Sequence, residues 1–375
     1  MPIADRIRPE IADLEPYTPI LPLDVLAARL GIPIGQLVKL DANENPYGPS
    51  PKTTQALANL ATIDGPLGRL SMAIYPDPNQ SRLREALSGY VGQHAERILC
   101  GAGADELIDL VLRLFISPGD AVIDCPPTFG MYSFDTGVNG GRLISVPRHA
   151  DFSLDIPAIE AAAEASQAKV LFLTSPNNPT GNLTPPNEIA RLLRLPLLVV
   201  VDEAYIEFTD PSASVSGWVE RHENLAVLRT FSKWAGLAGM RLGYGVFPDW
   251  MIAQLWKIKQ PYNLSLGAET VAIAALDDLA YLRANVARIV AERARLLERL
   301  GEIAFLTPHP SQSNFILCRV VGRDARELKL ALERVGVLVR YYNTPLLRDY
   351  IRISVGTPAQ TDAVIAALQG TGDRG

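Results

Sequence analysis

Lys233 sits in RTFSKWAGLAGMRLGYG, residues 229–245, directly after Ser232 and eight residues before Arg241. A lysine partly withdrawn from water beside other cations has a lowered pKa and becomes a nucleophilic amine, the group that condenses with aldehydes. Arg241 offers a forked donor that suits phosphate oxygens. The alanines and glycines between them keep volume away and leave space for a flat ligand. An exposed loop lysine is ordinarily just a solvated charge, so what the rest of the chain delivers to the same place decides the reading.

The elements that must position it are short apolar runs. RILC, KVLFLT, LLVVV and LAVLR are each bounded by polar or turn residues, the pattern of strands buried on both faces of a parallel sheet. Such sheets bind ligands outside the carboxyl ends of their strands. Those four ends run into GAGADE, SPNNPTG, DEAY and TFSK respectively. A glycine turn opening a helix, an asparagine in a proline turn, a carboxylate with a tyrosine, and a lysine therefore arrive along one edge.

Each has an ordinary alternative. GAGADELIDL (101–110) presents free backbone N–H groups at a helix start, a cradle for an anion. As a dinucleotide fingerprint it fails, because its sixth position is Glu106 rather than glycine. Asp202 taken alone is a helix cap or ion-pair partner, but in a dry site it can keep a cationic ring nitrogen protonated. Tyr205 is equally a core tyrosine or a hydroxyl donor to the same ligand. SPNNPTG is a tight turn by composition. Their arrival at adjacent strand ends favours the joint reading.

An aldehyde, a protonated ring nitrogen, a ring hydroxyl and a phosphate are the four handles of pyridoxal phosphate. Lys233 would take the aldehyde, Asp202 the ring nitrogen, and Asn178 with Tyr205 the ring oxygen. The phosphate would lie among the backbone of Gly103, Ala104 and Asp105, with Thr230, Ser232 and Arg241. Phe129, in PPTFGMY after another strand end, could stack on the ring, although aromatics commonly just fill core.

LDANENPYGPSP, YPDP, GADELIDL, PTFGMY, SPNNPTG, VDEAYIEF, RTFSKWAGLAGMRLGY, SNF and YIRISVGT together resemble the fold type I pyridoxal-phosphate aminotransferases of the aspartate aminotransferase superfamily, across nearly the whole chain. ANENPYGPSP, YPDP and the RTFSK form resemble its histidinol-phosphate branch. Alternating helical and strand-like segments from about residue 80 predict an α/β architecture, and the change of character after about 260 predicts a smaller α+β lobe entered through a long helical stretch. The resemblance implies the same, a large domain with a mostly parallel seven-stranded-type sheet covered by helices plus a smaller α+β domain. It implies an N-terminal arm over 1–45 packing on the small domain or the partner subunit. A large cofactor-binding domain over 46–262 would follow, then a small domain over 263–375 entered through a long helix.

The same resemblance implies a homodimer in which Tyr75 reaches the neighbouring subunit's cofactor phosphate. Arg352 would grip the substrate's anionic end, a carboxylate in most of the superfamily and a phosphate in this branch. Arg340 would be a second arginine there, Tyr17 an arm tyrosine covering the site, and Asn43 and Asn178 further substrate contacts. The implied reaction is a ping-pong transamination of histidinol phosphate with 2-oxoglutarate, with Lys233 as proton carrier and Asp202 holding the ring protonated. Two positions depart from the pattern. Phe129 stands where many members have tyrosine, and Trp234 stands where a smaller residue is common and would reshape the pocket wall. Rivals on the same scaffold are a broad or aromatic amino-acid aminotransferase and a decarboxylase of phosphorylated threonine. A non-catalytic regulator on this fold would need a DNA-binding module, for which the arm is too short and not basic.

Bulk properties narrow the field further. The 375 residues are 48% hydrophobic and 20% charged with a formal net charge of −6. There is no basic stripe of the kind nucleic-acid binders carry. Cys100, Cys125 and Cys318 are dispersed and odd in number, and His94, His149, His222 and His309 are scattered, so neither disulfides nor a metal site is expected. The N-terminal residues lack a signal-like apolar segment, and LPLLVVV is too short to span a bilayer, which together predict a cytoplasmic protein without membrane or nucleic-acid partners.

Overall fold

The computed structural model describes residues 2–12, 14–15, 21–60 and 72–372. Tyr17, expected over the site from the arm, lies outside the described residues. Twelve strands form two sheets among those residues. In chain order they are β1 (Val38–Leu40), β2 (Ile98–Gly101), β3 (Ala121–Asp124), β4 (Arg142–Ser145), β5 (Val170–Thr174) and β6 (Leu198–Asp202). The remainder are β7 (Leu225–Thr230), β8 (Gly243–Val246), β9 (Leu306–Pro308), β10 (Phe315–Val320), β11 (Val337–Tyr341) and β12 (Tyr350–Ser354).

The seven-stranded sheet runs β2-β8-β7-β6-β5-β3-β4, and only β8 pairs antiparallel with its neighbours. Alternation along its central strands sends side chains to two apolar layers. Leu171, Leu173, Val199, Val201 and Val227 pack under the helices Ile156–Ser166 and Pro186–Leu192. Val170, Phe172, Leu198, Val200 and Leu228 pack with Leu107, Ile108 and Val111 of the helix Ala104–Phe115. Truncating any one of these fully buried chains to alanine costs roughly 2–5 kcal/mol. Two-sided burial makes β5, β6 and β7 read as unbroken apolar runs in the sequence.

The five-stranded sheet runs β1-β11-β12-β10-β9, with β1 parallel to β11 and the other pairs antiparallel. A chain segment well before the first large-sheet strand thus completes a sheet built from the C-terminal third. The stretch read as one long helix after residue 262 is two, Leu266–Leu276 and Leu279–Gly301. The break falls at Asp277–Asp278, residues that favour helix ends over interiors, and Lys52 donates to the freed Asp277 carbonyl at 2.8 Å.

Strand β8 has no apolar run to betray it, since its sequence is GYGV. A Cβ on Gly243 would lie 2.5 Å from the Ala104 nitrogen, and one on Gly245 would lie 2.4 Å from the Phe247 ring. Gly243 thus lets the glycine turn and its helix approach the sheet closely, and Gly245 leaves room for the Phe247 ring.

Candidate active site

The carboxyl ends of β2, β5, β6 and β7 open on one cavity of about 660 Å³, closed on its far side by the segment joining β11 to β12. Ala104, Asp105, Phe129 and Asn178 line it from the large sheet's loops. So do Asp202, Tyr205, Thr230, Ser232, Lys233 and Arg241. Asn43 enters from the N-terminal segment, and Arg340 and Arg352 from the smaller sheet.

Lys233 is half-buried, and its Nζ donates to the Ala42 carbonyl at 3.3 Å. Burial first, then the positive charge of Arg352, pushes its pKa down to about 8. Both causes named from the sequence, withdrawal from water and neighbouring cations, act here, with desolvation the larger.

Asp202 is buried at the tip of β6. Its Oδ1 accepts from the Ala204 N–H at 3.0 Å and its Oδ2 from the Tyr132 hydroxyl at 2.7 Å. Desolvation raises its pKa to about 6, against the lowering effect of those two donors. None of the ion pairs formed among the described residues includes this carboxylate. A dry carboxylate at a cavity floor, held by donors yet without a counter-cation, fits a protonated ring nitrogen. Tyr132 also lies 2.7 Å from Thr174 Oγ1 and stacks on Phe172 at a centroid distance of 4.8 Å. Within PTFGMY the sequence marks only Phe129 as a candidate, and nothing local marks Tyr132. Phe129 lines the cavity, edge-on to that tyrosine.

The ring-oxygen side is a chain of polar contacts. Asn43, at a left-handed φ of 56°, donates Nδ2 to the Tyr205 hydroxyl at 3.1 Å. Ser354 at the end of β12 donates to Asn43 Oδ1 at 3.0 Å. Arg352 donates Nη1 to Asn178 Oδ1 at 2.7 Å and Nη2 to the Asp41 carbonyl at 2.8 Å. Because Arg352 occupies that amide's oxygen, Asn178 has its NH₂ left as a donor for a ligand oxygen. The Nε of Arg352 is buried with no hydrogen-bond partner among the described residues. An unmet buried guanidinium donor of this kind calls for an anion.

Arg340 and Arg352 are directly paired across β11 and β12. Both guanidinium carbons lie over the Tyr342 ring, at 5.6 and 5.7 Å from its centroid. Like charges opposite one another destabilise a sheet unless an anion bridges them.

At the opposite end, Gly103 turns at a φ of +83°, and a Cβ there would come within 2.6 Å of Arg241 Nη2. Arg241, itself left-handed at 50°, donates to Asp105 Oδ2 at 3.0 Å. Thr230 Oγ1 lies 2.9 Å from Ser232 Oγ, beside the N-terminus of the helix Ala104–Phe115. Two hydroxyls, a guanidinium and free helix N–H groups form the composition of a phosphate cradle.

Two expectations change. Of the small residues after Lys233, Ala238 does face the cavity, but Gly236 serves another purpose. At a φ of +68°, a Cβ there would lie 2.5 Å from the Gly48 carbonyl carbon, so it allows backbone to lie on backbone against the ANENPYGPSP loop. Trp234 is no pocket wall: it is buried in the core and stacked on Tyr90 at 5.2 Å. Tyr75, expected to serve a neighbouring subunit and not its own, stands exposed outside this chain's cavity, stacked on Tyr262 at 4.4 Å.

The pattern describing aminotransferase class I and II matches residues 35–368. A histidinol-phosphate aminotransferase of Roseiflexus castenholzii is 52% identical over 370 residues, covering 98% of each chain. A chloroplastic histidinol-phosphate aminotransferase of Nicotiana plumbaginifolia is 50% identical over 97% of this chain and 86% of its own. Among solved structures, the histidinol-phosphate aminotransferase of Sinorhizobium meliloti in complex with pyridoxal-5'-phosphate superposes with a TM-score of 0.86. It is 29% identical and matches over 97% of this chain and 96% of its own.

Proposed function

The chain belongs to the class I and II aminotransferases, and we propose that it transfers the amino group of histidinol phosphate to 2-oxoglutarate, giving imidazole-acetol phosphate and glutamate in histidine biosynthesis. The observation that carries this reading is the pairing, in one cavity, of a poised amine and a lone buried carboxylate with two facing arginines. The first two suit pyridoxal phosphate, and the arginine pair suits a dianionic substrate tail. High identity to histidinol-phosphate aminotransferases along the whole chain supports the same assignment.

Bound pyridoxal phosphate would supply an aldehyde for the donor's amine and a cationic ring that accepts electron density from its Cα. Asp202 would hold the ring nitrogen, Asn178 Nδ2 and the Tyr205 hydroxyl the ring oxygen, and Phe129 a ring face. Arg241, Thr230, Ser232 and the Gly103–Asp105 backbone would take the phosphate. Lys233 Nζ would carry the proton that leaves the donor's Cα, and a pKa near 8 keeps a useful fraction of free amine at neutral pH. Arg340 and Arg352 would orient the donor by its phosphate, and the same pair would take a carboxylate of 2-oxoglutarate in the second half of the cycle.

The homodimer belongs to this reading. Its support is the exposed apolar surface at Met72, Ile74, Tyr75 and Tyr262, more than 45% exposed in each case, beside the YPDP turn. The division into arm (1–45), large domain (46–262) and small domain (263–375) is supported by the two separate sheets. No helix among the described residues is long and apolar enough to cross a membrane, which accords with a cytoplasmic site of action. The experiment that tests the function is a panel of half-reactions with histidinol phosphate, phenylalanine, aspartate and phosphothreonine. Histidinol phosphate should react with the highest kcat/KM, and phosphothreonine should release no carbon dioxide. A better rate with phenylalanine or aspartate would overturn the substrate assignment.

A further inference from the structure

Phe152 has a backbone that an aromatic residue rarely adopts, with φ at +67°. Its carbonyl oxygen is clamped twice, by Arg148 Nη1 at 3.1 Å and by Asn182 Nδ2 at 3.1 Å. Arg148 is anchored in turn to the Cys125 carbonyl, at the start of the loop that carries Phe129. Asn182 belongs to the turn that carries Asn178, and its carbonyl accepts from the Asn177 N–H at 2.8 Å. The strained residue is therefore fastened to two of the loops that build the cavity.

Its side chain points the other way, out of the large sheet. It is 7% exposed and packs with Leu317 and Leu347, against Tyr342 and Tyr350. Its ring also meets His309 edge-on at 4.9 Å. Leu317 is the cross-strand partner of Arg352. Leu347 ends the stretch of Tyr342, Thr344, Pro345 and Leu346 that closes the cavity beyond Arg340. The outer member of that stretch, Leu346, is 46% exposed. One ring from the large sheet thus seats the segment between the two arginines.

We propose that Phe152 is a positioning residue for the donor's anionic tail: it docks the 342–350 segment on the large sheet and so sets the spacing of Arg340 and Arg352 over the cavity. This rests on the substrate reading above for its kinetic consequence, but not for its structural one. A loosened segment would displace Arg340 and weaken the grip on the tail, whereas Arg352 stays bonded to Asn178 and the Asp41 carbonyl, so this chain's contacts to the cofactor remain.

The test compares Phe152→Ala, Phe152→Gly and Phe152→Leu in the cofactor-loaded enzyme. Glycine relieves the left-handed strain and removes the ring, whereas leucine keeps much of the apolar plug. Amide exchange over 342–350 should accelerate about tenfold or more in the alanine and glycine variants, with 174–182 unchanged. The KM for histidinol phosphate should rise about tenfold in both while kcat stays within about threefold, and leucine should restore most of the loss. The cofactor absorbance and its dissociation constant should match wild type. Unchanged exchange over 342–350, a wild-type KM in the glycine variant, or joint loss of cofactor and KM would each overturn the proposal. Should alanine fail to fold, the leucine and glycine variants carry the comparison. If wild type itself ignored histidinol phosphate, the substrate reading would fall, while the exchange result would still judge the docking role.

Discussion

Arg352 reaches across from the smaller sheet to donate Nη1 to Asn178 Oδ1 at 2.7 Å. The residue proposed to bind the substrate's tail is thereby bonded to the residue proposed to hold the cofactor's ring oxygen. Both are buried, so the bond is made in a medium of low dielectric where it is strongest and where leaving it unmade is costly. Substrate grip and ring orientation share one hydrogen bond.

Replacing that arginine should therefore do more than weaken binding. Arg352→Lys retains a positive charge but cannot serve Asn178, the Asp41 carbonyl and an anion at once. We expect kcat/KM for the amino donor to fall by at least about 10²-fold, about 2.7 kcal/mol, with kcat itself reduced. A change confined to KM would show that the bond to Asn178 has no bearing on the chemistry.

The lysine should report the same arginine through its titration. Its pKa in the folded chain is about 8 against 10.5 in the unfolded one. The folded state thus holds fewer protons between those values, and this group adds stability as pH rises through that window. In the cofactor-free protein, the rate of pyridoxal phosphate uptake should rise with pH to a plateau above about 8 as free amine accumulates. Arg352→Leu removes a neighbouring positive charge and should move that inflection upward, toward 10.5. An inflection that stayed in place would remove Arg352 as a cause.

Asp202 carries the opposite sign. Its pKa is raised from 3.8 to about 6, so between those values the folded chain retains a proton that the unfolded chain has released. Stability from this group therefore falls as pH rises from about 4 to 6. Asp202→Asn removes the buried charge, and the new amide can still accept from Ala204 and donate to the Tyr132 hydroxyl. Cofactor-free Asp202→Asn should be more stable than wild type at pH 7 by up to about 3 kcal/mol, the equivalent of roughly two pKa units. Its transaminase rate should drop at least about 10³-fold. Chemical denaturation at pH 4 and 7 checks the first claim, since the gain should vanish at the lower pH.

The glycines after Lys233 separate packing from ligand space. Gly236→Ala forces a left-handed alanine and a 2.5 Å contact with the Gly48 backbone, neither of which a flexible side chain can relieve. It should cost about 2–4 kcal/mol in denaturant unfolding. Gly239→Ala, with nothing within 4 Å of the added carbon, should change stability by no more than about 0.5 kcal/mol. Equal effects would mean that the loop around Gly48 yields freely.

What the sequence made legible follows from how each element is buried. Strands β5, β6 and β7 are covered on both faces, so their residues are apolar throughout and their tips are easily located. Lys233, Asp202 and Asn178 stand at those tips, and the cavity lies where they meet. Strand β8 escaped because its close approach to the glycine turn demands glycine, which reads as loop. Tyr132 escaped because an aromatic in the first turn of a helix (Met131–Val138) looks like core, and it is core; only its hydroxyl, aimed at Asp202, gives it a second role. Phe152 lies in RHADFSLD, a polar loop by composition, and nothing local indicates that its ring is buried against Leu317 in the other sheet. Contacts that join distant segments leave no periodic trace.

Tyr75 can be tested by mixing subunits. It is 75% exposed and stacked on Tyr262, away from its own chain's cavity, so in the dimer reading it serves the neighbour. Tyr75→Ala should lower activity in the pure dimer by weakening the hold on the cofactor phosphate, and Lys233→Ala should abolish it. In a mixed dimer, the subunit with Lys233 intact would receive an unaltered tyrosine from its partner, and the other subunit would carry both defects. Random reassortment makes about half of the dimers mixed, each with one complete site, so activity should recover to about a quarter of wild type. The Tyr75→Ala parent, diluted with inactive Lys233→Ala protein and kept from exchanging, sets the baseline. Activity at or below that baseline after exchange would place Tyr75 in service of its own chain or of neither.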